Sequence, residues 1–219
     1  MKTLTQKYRR LFSNRQFVSS LLSGVLLLII SFIINFYAGI YATEKISNPV
    51  TDIILDNIPV FNVDLLFIYG PLLLWIVVSL IGFSEPKRIP FILKNIALFV
   101  LIRSVFITLT HIGPFPDRID VNYSIRAIKD FTFGGDLFFS AHTGLPFLMA
   151  LVFWQKKMIR FLFIAIAILF GIVVLMGHLH YSIDVLAAFF ITYSIYHLAK
   201  IFFAKDENWF NQEPKDSFS

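Results

Sequence analysis

Gly177-His178-Leu179-His180-Tyr181-Ser182-Ile183-Asp184-Val185 interrupts a long apolar region and puts two imidazoles and a carboxylate where a membrane helix should begin. Ionisable groups at membrane depth are expensive and persist where they are paired or used. If the chain is helical from Tyr181 onward, His180 and Asp184 stand one turn apart on one face. The carboxylate can then accept from one imidazole nitrogen, fix the tautomer and leave the other nitrogen to act on a substrate. By itself the stretch allows a second reading, a polar helix end wetted by interfacial water. The rest of the chain decides between them.

The 219 residues are 57% hydrophobic and 17% aromatic, with 26 Phe, and only 15% are charged. That is well below the charge content of a soluble domain and marks an integral membrane protein of one domain. Without Cys there is neither disulfide nor thiolate metal site. The formal charge of +5 does not argue for nucleic acid, because the basic residues lie in short runs between apolar spans. Such runs are topology signals.

Read in order, the chain predicts six spans: about residues 17–37, 64–83 (bent near Pro71), 90–111, 137–154, 159–176 and 181–203. Residues 1–16, with Lys2, Lys7, Arg9, Arg10 and Arg15, form a basic N-terminus. The membrane domain covers 17–204 and residues 205–219 are a tail. A segment at 43–63, with Pro49 and Pro59, reads as a short amphipathic element on the outer surface. Basic clusters precede span one, separate two from three and four from five, and follow six, so both termini are expected in the cytoplasm.

That topology brings Arg103, Asp136, His142, His180 and Asp184 to one outer face from different helices, which favours a functional site over a wetted helix end. Arg103 lies about 12 Å below the outer end of its span, within reach of that face. Snorkelling would explain it, and so would phosphate binding, which suits a guanidinium. The outer loop 113–136 is the most polar stretch, with Asp117, Arg118, Asp120, Arg126, Lys129, Asp130 and Asp136.

Gly135-Asp136-x-x-x-Ser140-Ala141-His142-Thr143 resembles a signature of sphingomyelin synthases and their relatives. His180-Tyr181-Ser182-x-Asp184-Val185, with Tyr196-His197 downstream, resembles a second, and Arg103 to Thr110 followed by Pro114 is similar to a third. The three cover residues 100–197 in the family's order. The resemblance implies an all-α bundle of six transmembrane helices within the wider type 2 phosphatidic acid phosphatase superfamily. It implies His142, His180 and Asp184 as the catalytic triad, Arg103 as a phosphate contact, and Asp136, Ser140 and Tyr181 around the substrate. No metal or cofactor is implied.

Two positions depart from the pattern: Ala141 stands where the family has Gly, and Gly134 where a Cys is usual. The implied activity is transfer of a phospho-headgroup from a phospholipid to a lipid alcohol of ceramide or diacylglycerol type, on the outward leaflet. The rival within the superfamily is a lipid-phosphate phosphatase. Its relatives hold a dianionic monoester with a Lys and two Arg, one just before the second His, whereas residues 173–179 here contain no Arg. A non-catalytic or transport protein would call for ionisable groups near the midplane and an inverted repeat, and neither is present.

The charge pattern makes one direct prediction. Cysteines placed at Ser13 and Asn122 should react with a membrane-impermeant thiol reagent from opposite sides, Asn122 from outside. Reaction of both from one side would remove the common outer face.

Overall fold

The computed structural model describes residues 4–119, 121 and 134–211. Asp120, Asn122, Arg126, Lys129 and Asp130 of the polar loop lie outside the described residues, as do residues 212–219 of the expected tail. The helices are α1 Leu4–Phe12, α2 Arg15–Glu44, α3 Asp64–Ser84, α4 Ile89–Leu109, α5 Ala141–Val152, α6 Lys157–Met176, α7 Ser182–Phe202 and α8 Ala204–Asn211. The fold is an all-α membrane bundle. α2, α3, α4 with its leading turn, α6 and α7 are each long and apolar enough to cross a membrane.

The fourth span is where expectation and structure differ. Helix was expected from 137, but α5 begins at Ala141 and has 12 residues, about 18 Å of rise. Helix cannot start earlier because Phe139 is left-handed, at φ 44°, and Ser140 is extended. Residues 134–140 instead run as non-helical chain against α2 and α4. Gly135 makes this possible, since a Cβ there would lie 2.7 Å from the Ala42 carbonyl oxygen.

α4 is the central helix: 56% of its most apolar window is buried, against 17% for α2. α2 runs parallel to α4 through small residues, with Gly24 against Leu93 and Ala38 and Ala42 against Ile107. α2 turns Leu22, Leu26, Ile29 and Ile33 outward, where lipid replaces water as solvent. The core gathers Phe91 and Phe99 of α4, Phe139, Leu148 and Met149 around α5, Phe163 and Phe170 of α6, and Ile195 of α7.

Two caps close the bundle. At the end carrying α1 and α8, Asn14 caps α2 by accepting from the Gln16 and Phe17 amides at 2.9 and 3.4 Å. There α8 folds back: Trp209 stacks on Phe17 at 5.8 Å, and Asp206 accepts from Lys94 Nζ at 2.7 Å and from Ser20. At the opposite end, residues 46–63 form a cap in which only the turn Leu55–Asn57 is helical. Its backbone donates from Ser47 to His111 O and from Phe61 to Met176 O, both at 2.8 Å. Two prolines and these tertiary bonds outweigh its amphipathic pattern.

Lys94 and Asp206 are both largely buried, so removing one strands the other's charge. Lys94→Met should therefore destabilise the protein by roughly 3–5 kcal/mol. Lys94→Met with Asp206→Leu should recover much of that loss. Thermal unfolding in detergent measures both.

Candidate active site

The site lies at the end away from α1 and α8, where α4 and α6 finish and α5 and α7 begin. α6 ends in a Schellman motif: His178 N–H donates to Leu175 O at 3.0 Å and Leu179 N–H to Val174 O at 2.8 Å. His178 occupies the left-handed position, φ 53°, that glycine usually takes. Its ring packs edge-on against Phe115 at 5.1 Å, and neither ring nitrogen has a hydrogen-bond partner among the described residues. His178 shapes the turn that delivers His180.

His180 precedes α7, whose N-cap is Tyr181. Its Nδ1 lies 2.9 Å from Leu137 O and 3.5 Å from Asp184 Oδ2. A carbonyl oxygen only accepts, so Nδ1 carries the hydrogen and Nε2 holds the lone pair of the neutral ring. The expected His180–Asp184 contact is present as the longer of the two. Asp184 Oδ2 also accepts from the Tyr181 amide at 2.9 Å and so caps α7. Asp184 Oδ1 is buried with no hydrogen-bond partner among the described residues.

His142 stands in the first turn of α5, half-buried. Its ring stacks on Phe67 at 4.2 Å and 17°, and Nε2 lies 3.3 Å from Phe67 O. It is within electrostatic reach of His180 and Arg103. Ser140 gives α5 no side-chain cap, and its buried hydroxyl and that of Thr143 have no partner among the described residues. α7, by contrast, is already satisfied by carboxylates. The α5 N-terminus therefore offers backbone N–H groups to an anion beside His142.

Arg103 is 6% exposed. Its Nη2 donates to Asp136 O at 2.6 Å and Oδ2 at 3.1 Å, and its Nε to Phe139 O at 3.3 Å. It holds the left-handed turn in place, and Nη1 is the part of the fork outside these bonds. Arg103 and Asp136 thus come together as an ion pair. Tyr181 is 2% exposed, and its hydroxyl donates to Gly113 O at 2.8 Å and accepts from Val50 N at 3.2 Å. The hydroxyl is committed to the cap.

Three participants carry no motif: Leu137 through its carbonyl, Phe67 through ring and carbonyl, and Asp52. Asp52 Oδ2 accepts from the Ser182 amide at 2.7 Å, and Oδ1 from Ile54 and Leu55 at 2.9 and 3.2 Å. Burial alone would push this carboxyl up. The bonds from Ser182, Ile54 and Leu55 outweigh burial and hold it below the usual carboxylate range. Among the described residues, no three His, Cys, Asp or Glu gather into a metal-binding group.

Residues 134–201 match the family described as PAP2 superfamily C-terminal. The match takes in the Arg103-bound turn, α5, α6 and α7, and with them His142, His180 and Asp184. It supports the PAP2 superfamily and a membrane protein of lipid phosphatase or phosphotransferase type. No curated protein and no solved structure matches the chain.

Asp52 joins the cap to α7, so Asp52→Ala should destabilise by roughly 2–3 kcal/mol at neutral pH. A carboxyl with a depressed folded pKa stabilises above its unfolded value and loses that contribution as pH falls through the folded one. The gap between wild type and variant should narrow below about pH 4. A gap independent of pH would put the contribution elsewhere than in the carboxylate.

Proposed function

We propose that this chain transfers a phospho-headgroup from a phospholipid to a lipid alcohol of ceramide or diacylglycerol type. His142, His180 and Asp184 carry the chemistry, at the outward face of the membrane. The observation that carries this reading is the 2.9 Å contact between His180 Nδ1 and the Leu137 carbonyl, which selects the tautomer. With Nδ1–H held by Leu137 O and facing Asp184, Nε2 is the nucleophilic nitrogen.

In the first step Nε2 attacks phosphorus, a P–N bond forms and the P–O bond to the lipid glycerol breaks. The departing oxygen takes a proton from the His142 imidazolium. In the second step the acceptor alcohol gives its proton to His142, its oxygen attacks phosphorus and the P–N bond breaks, returning both rings. Nε2 of His142 faces Phe67 O, so its Nδ1 is the edge that exchanges this proton. Asp184 offsets the charge on His180, and the α5 N-terminus and Arg103 Nη1 receive phosphoryl oxygens.

Charge supports the transferase over the phosphatase. Arg103 already shares its charge with Asp136, and 173–179 bring no second Arg, so a monoanionic diester suits the site better than a dianionic monoester. One observation favours the alternative. Arg118 Nη1 donates to Gly134 O at 3.3 Å, which places a second guanidinium at the rim.

The test is purified protein in vesicles, assayed for headgroup transfer to ceramide and diacylglycerol and for phosphate release from phosphatidic acid. Transfer should be the faster reaction. His142→Ala, His180→Ala and Asp184→Asn should each lower it by at least about a hundredfold while the protein stays folded. Rapid phosphate release with no transfer to either alcohol would establish the phosphatase instead.

A further inference from the structure

Resting on that reading of the site, we infer that Pro71 is a positioning residue for His142. It acts by withholding a hydrogen-bond donor from the carbonyl that orients the ring. Pro71 lies inside α3, and the residue four before it is Phe67. In an unbroken α-helix the Phe67 carbonyl would accept from the residue-71 amide. Proline has no amide hydrogen, so that acceptor is left to another donor. His142 Nε2, at 3.3 Å, is in position to be it.

Three further contacts make this a built arrangement. The Phe67 ring stacks on the same imidazole at 4.2 Å and 17°, so one residue contacts His142 through both its face and its polar edge. Phe170 meets the ring from α6 at 6.3 Å in an edge-on arrangement. Gly70, next to Pro71, lets α3 approach Phe170, since a Cβ there would lie 2.7 Å from that ring. A proline in the interior of a membrane helix is tolerated where another group re-satisfies the freed backbone. Here that group is a histidine of the site.

The consequence is a tautomer. Because a carbonyl only accepts, Phe67 O selects the Nε2–H form of neutral His142 and turns Nδ1 toward the reacting oxygens. Pro71→Ala restores an amide that competes for Phe67 O. The ring then loses its anchor while the helix gains a bond. Stability and catalysis should therefore move in opposite directions, which no purely structural role of Pro71 produces.

The experiment uses the full chain in vesicles, wild type and Pro71→Ala, with Phe67→Leu to remove the stacking but keep the carbonyl. Ring-nitrogen NMR on isotope-labelled histidine, assigned with His142→Gln, reads the tautomer directly. At a pH where the ring is neutral, we expect wild-type His142 as the Nε2–H form, and a mixture of tautomers in Pro71→Ala. Its thermal midpoint should be equal or higher, and kcat for headgroup transfer about tenfold lower with KM little changed. Phe67→Leu should keep the Nε2–H form. An unchanged tautomer in Pro71→Ala, or kcat and midpoint falling together, overturns the inference. The NMR result does not depend on turnover. A shifted tautomer in a protein whose wild type neither transfers headgroup nor releases phosphate would uphold the anchor and sink the proposed reaction.

Discussion

A guanidinium buried in the middle of an apolar bundle must be met by acceptors, and much of this end of the molecule follows from how Arg103 is met. An unpaired buried charge costs several kcal/mol, far more than a strained backbone residue at roughly 1–3 kcal/mol. The chain takes the lesser cost. Phe139 goes left-handed, and the turn before α5 offers Arg103 the carbonyls of Asp136 and Phe139 as well as a carboxylate. That turn forces α5 to begin at Ala141. It also leaves Leu137 O facing His180 Nδ1. One buried cation on α4 thereby fixes the start of the helix that bears His142 and the acceptor that orients His180.

The second organising choice is where the helix N-termini find their acceptors. α7 takes two carboxylates, Asp184 from within and Asp52 from the cap, and so its positive end is neutralised. α5 takes none from its own cap residue. Two helix starts side by side, one closed by carboxylate and one left open, direct an anionic group to the second. The buried hydroxyls of Ser140 and Thr143, without partners among the described residues, lie on that open side.

Legibility in the sequence followed side-chain chemistry. The level of Arg103, the His180–Asp184 spacing, the ordering of basic turns and the extent of most spans could be read because residue type reports charge and apolarity. What was not legible is mostly backbone. Leu137 acts through a carbonyl oxygen that every residue possesses, so no residue pattern marks it. The segment 46–63 has the composition of an amphipathic element and is held instead by amide–carbonyl bonds to α6 and to residues 111–113. Tyr181 stands inside a motif, yet its hydroxyl serves Gly113 and Val50. The shortened fourth span was hidden because residues 137–139 are apolar and read as helix until Arg103 is seen to claim the carbonyls of Asp136 and Phe139. Phe67 also acts through its carbonyl; Pro71 was read only as a bend, although a proline inside a helix frees the carbonyl four residues before it.

The two imidazoles are tied at different nitrogens, and this difference bears on the chemistry. His180 is held at Nδ1, close to a carboxylate, which suits the ring proposed to bond phosphorus through its other nitrogen. His142 is held at Nε2 by a neutral carbonyl, between the rings of Phe67 and Phe170, with no carboxylate hydrogen-bonded to it among the described residues. A ring so placed has little to stabilise its charge, so its imidazolium gives a proton readily to the departing oxygen and regains one only as the acceptor alcohol attacks. The rings are therefore not interchangeable despite sharing a site. Exchanging their roles would ask the ring without a carboxylate to carry the covalent intermediate's charge, and the ring beside Asp184 to give up a proton that this carboxylate favours keeping. The asymmetry comes from which backbone carbonyl each ring meets, and those carbonyls are set by a buried arginine on one side and a proline on the other.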